Sequence, residues 1–122
     1  MTQKVIKLAG PEGSDPVEVQ AHVIGALAIH RPAYVYMPGQ PVTYGDKGWN
    51  VTHVPTGGSL TQHAPKDTAW GRVSLKRLKE WAAKAQAVDA EAWEGINALP
   101  FGRPKANPAL GRRVLDALRE AR

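Results

Sequence analysis

The chain has 122 residues, 43% of them hydrophobic, with 12 glycines, 10 prolines and a net charge of +5 at pH 7. That length fits one domain, residues 1–122, and that apolar content suffices for a core, which argues against wholesale disorder. The absence of cysteine excludes disulfides, thiolate catalysis and cysteine-bound zinc or iron–sulfur centres.

The first residues, Met1-Thr2-Gln3-Lys4-Val5-Ile6-Lys7, have no apolar core like that of a signal peptide, and no later run approaches the ~20 apolar residues of a membrane span. The expectation is a soluble, cytoplasmic protein without membrane partners. Val5-Ile6-Lys7-Leu8 reads as a first strand, closed by a Gly/Pro-rich loop from Gly10 to Pro16. In Val17–Ile24 the apolar residues fall at 17, 19, 21 and 23, the period of a strand, although Asp15-Pro16 would also suit the start of a helix.

Gly25-Ala26 then turns the chain into Leu27-Ala28-Ile29-His30-Arg31, and a further extended piece, Ala33-Tyr34-Val35-Tyr36-Met37, follows Pro32. Pro38 to Gly48 holds two prolines, three glycines and an aspartate in eleven residues and is a loop, within which Pro41-Val42-Thr43-Tyr44 can fold over a sheet edge. The clearest short strand comes next. In Trp49-Asn50-Val51-Thr52-His53-Val54, Trp49, Val51 and His53 point one way and are expected to face the helices. Pro55 cannot donate to a ladder, so the chain turns at Thr56-Gly57-Gly58 toward Leu60.

Residues 66–122 change character. Asp67-Thr68 is expected to cap a helix running to about Ala87, with Trp70, Val73, Leu78, Trp81, Ala82 and Ala85 inward. Asp89 caps a shorter helix with Trp93, Ile96 and Leu99 inward, and Pro100 to Pro108 is a basic linker. Asn107-Pro108 starts a last helix whose apolar stripe is Leu110, Val114, Ala117, Leu118 and Ala121. The fold expected is α+β: a small antiparallel sheet of four or five strands in residues 1–65, followed by two or three helices packed on one face.

Leu27-Ala28-Ile29-His30-Arg31, followed by Gly48-Trp49-Asn50-Val51-Thr52-His53-Val54-Pro55-Thr56-Gly57 and an alanine-rich helix, resembles a pattern in small uncharacterised phage and prophage accessory proteins. The resemblance covers about a third of the chain. It implies an accessory protein with no activity attached and assigns no residue a role.

Charge is uneven. Residues 1–65 carry four basic and four acidic side chains, whereas residues 66–122 carry twelve and seven, so the whole excess lies in the helical half. That half, with Arg72, Lys76, Lys79, Arg112 and Arg113 as its candidate contacts, points to a non-enzymatic binding protein for nucleic acid or an acidic protein surface. A net charge of this size also suits an ordinary solvated surface.

The alternative is a small metal-dependent or histidine-using hydrolase built on His30, His53 and Asp46, since imidazole and carboxylate are common zinc ligands. The four histidines lack the tight spacing of a His-x-x-x-His pair, and Thr56-Gly57-Gly58-Ser59 lacks the lysine and spacing of a P-loop. No cofactor, metal site or catalytic residue is assigned from the sequence.

Overall fold

A computed structural model describes residues 2–8, 17–34, 40–99 and 107–121. The strands are β1 (Thr2–Leu8), β2 (Val17–Ile24), β3 (Leu27–His30), β4 (Ala33–Tyr34), β5 (Thr43–Tyr44), β6 (Asn50–His53) and β7 (Gly58–Ser59). The helices are α1 (Leu75–Val88), α2 (Ala90–Gly95) and α3 (Pro108–Ala121). The fold is therefore the expected α+β arrangement. Five strands form an antiparallel sheet in the order β1-β2-β3-β6-β7, while β4 and β5 pair separately.

The alternation read in Val17–Ile24 is a strand's: Val17, Val19 and Ala21 are buried while Glu18 and Gln20 are exposed. Register follows from that pattern, since a slip of one residue would send every one of these side chains to the other face. Val19 thus sits opposite Ile6 and Val17 opposite Leu8. This face of the sheet buries a small core of Ile6, Leu8, Val17, Val19, Ala21 and Ala28, against which Ala33 and Val42 of the β4–β5 region pack.

The other face carries the main core, in which Leu27, Ile29, Val51 and Leu60 meet Leu78, Trp81, Trp93, Val114 and Leu118 from the helices. Ala26 ties sheet to helix, donating its N–H to Gln86 Oε1 at 3.1 Å. Gly25, at φ +59°, makes that approach possible, because a Cβ there would run into the Gln86 side chain.

Two of the three helix starts are those expected: Asp89 accepts from Ala92 N–H at 3.2 Å and Asn107 Oδ1 from Ala109 N–H at 3.0 Å. The first helix differs. Asp67 adopts a left-handed φ of +67° without a capping bond, and Thr68–Trp70 makes only a 3-10 turn, closed by Gly71 at φ +79°. The α-helix then begins seven residues later than expected, capped by Ser74, which accepts from Arg77 N–H at 3.1 Å.

That break changes the place of Trp70, expected inward and found 79% exposed. Once the helical phase is lost at Gly71, the spacing linking Trp70 to Leu78 and Trp81 no longer sets its direction. Trp81 and Trp93 are buried as expected, as are Ile96 and Leu99. The expected strand residues 35–37 and most of the basic linker lie outside the described residues.

Candidate functional site

Two histidines considered for catalysis are built into the sheet instead. His30 Nδ1 lies 2.7 Å from the Arg31 carbonyl, which can only accept, so Nδ1 carries the proton. Nε2 of the neutral ring then accepts from the Thr52 hydroxyl at 2.7 Å. In His53 the tautomer is reversed: Nε2 donates to the Trp93 carbonyl at 2.6 Å, and Nδ1 accepts from Thr56 at 2.9 Å. Burial pushes both rings below the usual histidine range, although each carbonyl bond works the other way.

His30 pairs across with Asn50 and His53 with Leu27, at opposite ends of the β3–β6 ladder. Asp46 stands exposed in the loop before β6. His30, His53 and Asp46 are therefore not drawn together, and no group of three or more His, Asp or Glu among the described residues is arranged to hold a metal ion.

His22 is placed differently. It borders a cavity of about 310 Å³ at the sheet end with Gln3, Gln20, Arg31, Tyr44 and Trp49, and none of the described lining residues is a carboxylate. Antiparallel pairing brings this set together: Gln3 lies opposite His22, and His22 opposite Ile29, two residues before Arg31. The Arg31 guanidinium lies 3.8 Å over the Trp49 ring, a cation–π stack, and its Nη1 donates to the Gly48 carbonyl at 3.0 Å. His22 meets the same indole edge-on, with ring centroids 6.3 Å apart. Burial, and then the charge of Lys79 on α1, push His22 below the usual range.

The rim beyond Trp49 is held by backbone. Trp49 donates its N–H to the Thr68 carbonyl at 3.1 Å. Gly48, at φ +75°, lies so close to the Ala69 carbonyl that a Cβ would collide with it. Thr68 is itself buried and donates its hydroxyl to the Pro65 carbonyl at 2.5 Å. The 65–71 loop is thus seated against the Gly48-Trp49 pair. Pro65 and Lys66 of this loop line, with Arg77, a second cavity of about 520 Å³, again without a carboxylate among its described lining residues. Trp81 also borders it, with its indole N–H buried and unpartnered.

The five expected contact residues divide between the ends of α1. Arg72 stands at its start, 3.8 Å from the Asp67 carboxylate. Lys76 is exposed on the first turn, and Lys79 follows on the flank beside His22. Arg113 instead grips Asp89, which follows α1, with Nε and Nη2 donating to the two carboxylate oxygens at 2.7 and 2.6 Å. The fork holds the Asp89 carboxyl below its usual range, and Glu91 stands 3.7 Å from the same guanidinium. Arg112 is its exposed neighbour on α3. At 1.5 Å per residue, Ser74 and Asp89 are separated by roughly 22 Å, so the two groups stand toward opposite ends of α1.

The sequence reading passed over Arg31 and Tyr44 as site residues and weighed His22 only among the histidines that could hold a metal. The available signal was Arg31, the one basic side chain beside the Leu27–His30 strand, but its meeting with Trp49 depends on strand pairing across nearly twenty residues. Comparisons with protein-family models, curated proteins and solved structures find no match.

Proposed function

We infer that this is a non-enzymatic binding protein for an anionic polymer, nucleic acid by preference, and that the cavity under Arg31, with Lys79, Lys76 and Arg72 beyond it, receives the chain. The observation that carries the reading is the Arg31 guanidinium stacked on Trp49 at the mouth of a cavity with no described carboxylate in its lining. Arginine held over an aromatic ring offers a planar cation whose outer face can stack on a base and whose unused N–H groups can meet a phosphate. His22 adds a group that an incoming anion would favour in its charged form.

The test is a titration with single-stranded DNA, single-stranded RNA, duplex DNA and polyglutamate at several salt concentrations. Nucleic acid should bind with affinity that falls linearly in log–log form as salt rises, and Arg31→Ala should reduce the slope by about one unit. No nucleic-acid binding at low salt overturns the reading. Equal binding of polyglutamate transfers it to an acidic protein surface.

A further inference from the structure

The exposed Trp70 lies outside the cavity, yet the loop that carries it is seated against the cavity's rim. An exposed apolar side chain standing alone is ordinary on a protein surface; what sets Trp70 apart is the turn that carries it and the charges beside it. Here the exposure is enforced from several sides: Asp67 in a left-handed conformation, Gly71 likewise, Thr68 buried and bonded, and Ala69 packed on Gly48. A non-glycine residue in that region costs free energy and persists only where its surroundings over-determine it. The turn therefore fixes the backbone that carries the indole.

Its charged neighbours are mainly cationic: Arg72 follows two residues later, 3.8 Å from the Asp67 carboxylate, Arg31 bonds the carbonyl of the glycine on which Ala69 rests, and Lys66 and Arg77 line the cavity that borders the same loop. An acidic peptide would use these charges but leave the indole unsatisfied. A single nucleic-acid strand uses both, since each base brings a π-face and is flanked by phosphates. In a duplex the bases are already stacked on one another.

Resting on the reading above, we propose that Trp70 is a second stacking platform, and that the protein takes single-stranded nucleic acid with one base over Arg31 and Trp49 and a nearby base on Trp70. Arg72, Lys66 and Arg77 meet the flanking phosphates. Affinity for single strands exceeds that for duplex of the same length.

The experiment compares wild type, Trp70→Phe and Trp70→Ala, binding a labelled oligothymidylate, an abasic sugar-phosphate strand of equal length, and a duplex. Trp70→Ala should weaken oligothymidylate binding roughly 10- to 100-fold, as for loss of one stacked base, and Trp70→Phe should retain most of it. Binding of the abasic strand should be the same for all three proteins. Because Trp70 packs on little, all three should unfold at nearly the same temperature. Unchanged oligothymidylate binding in Trp70→Ala, or duplex binding as tight as single-strand binding, overturns the second platform while leaving the proposed function intact. A large fall in unfolding temperature for Trp70→Ala also overturns it, by showing the indole to be packed. Absence of binding to every nucleic acid removes both readings together.

Discussion

Two histidine–tryptophan pairs are put to opposite uses. His53 and Trp93, with ring centroids 5.7 Å apart, lie in the main core with both fully enclosed, and each polar atom has a partner: the Trp93 indole N–H donates to the Ala85 carbonyl at 2.9 Å. His22 and Trp49 stand at the edge of the same sheet, half-buried, with Arg31 on the indole and Lys79 near the imidazole. Chemistry alone does not separate the two pairs. What separates them is how far they are enclosed: Trp93 comes from α2 and is closed in between sheet and helices, whereas Trp49 packs against the same core on one side and, with His22, borders the cavity on the other.

The largest effect that tests this contrast is on stability. Trp93→Ala should cost about 3–5 kcal/mol, since it removes a large enclosed aromatic and also unseats the carbonyl that His53 uses. Trp49, expected from its alternation to be equally structural, should cost only about 1–2 kcal/mol on truncation, because it is open to the cavity on one side. Urea unfolding of both variants provides the comparison. Equal losses would mean that Trp49 is a core residue and that its stack with Arg31 is a consequence of packing.

Next in size is the response to acid. His30 and His53 are depressed by burial, so the unfolded chain binds more protons than the folded one once pH falls toward the ordinary value of 6.5. Their contribution is fully present above that value and is lost as pH falls through their folded values. Stability measured by urea unfolding should therefore decline between pH 7.5 and 5, and His53→Gln should flatten the decline while lowering stability throughout. Asp89, also depressed, acts in a separate window below its ordinary 3.8. A stability that holds steady from pH 7.5 to 5 would show that both core histidines accommodate their charge.

Much of the fold was readable because its signals are local. The period-two burial of Val17–Ala21, the caps at Asp89 and Asn107 and the stripe of α3 each depend on residues within a turn or two of one another. The start of α1 was misplaced for the opposite reason. Asp67 and Thr68 are good capping residues in isolation, but here Thr68 is drawn inward to Pro65 and Trp49, and the contact of Gly48 with Ala69 fixes the turn from a distant loop. Tertiary contacts outweighed propensity there, and the orientation of Trp70 went with them. The candidate site was less readable still, because β1, β2, β3 and the loop before β6 each supply part of it. The charge excess of residues 66–122 pointed to the helices, while the cation stacked on an aromatic ring, Arg31, lies in the half whose charges balance.

The smallest effect expected concerns the two α3 arginines, and it decides how far the anion-binding surface extends. Arg113 is engaged by Asp89 and Glu91, so reversing it would disturb the α1–α3 contact as well as the charge. Arg112→Glu is the cleaner change, since that side chain is exposed and the backbone is unaltered. If the strand lies along Arg31, Trp70 and the first turns of α1, Arg112 is well beyond the Debye length of ~8 Å at physiological ionic strength, and reversal should change nucleic-acid affinity less than about twofold. Lys79→Glu, beside His22, should weaken it by an order of magnitude and lower the salt slope, as expected for a lost phosphate contact. Equal losses from the two reversals would mean that the anion spans both helices, in which case the cavity at the sheet end is only one contact within a broader basic surface.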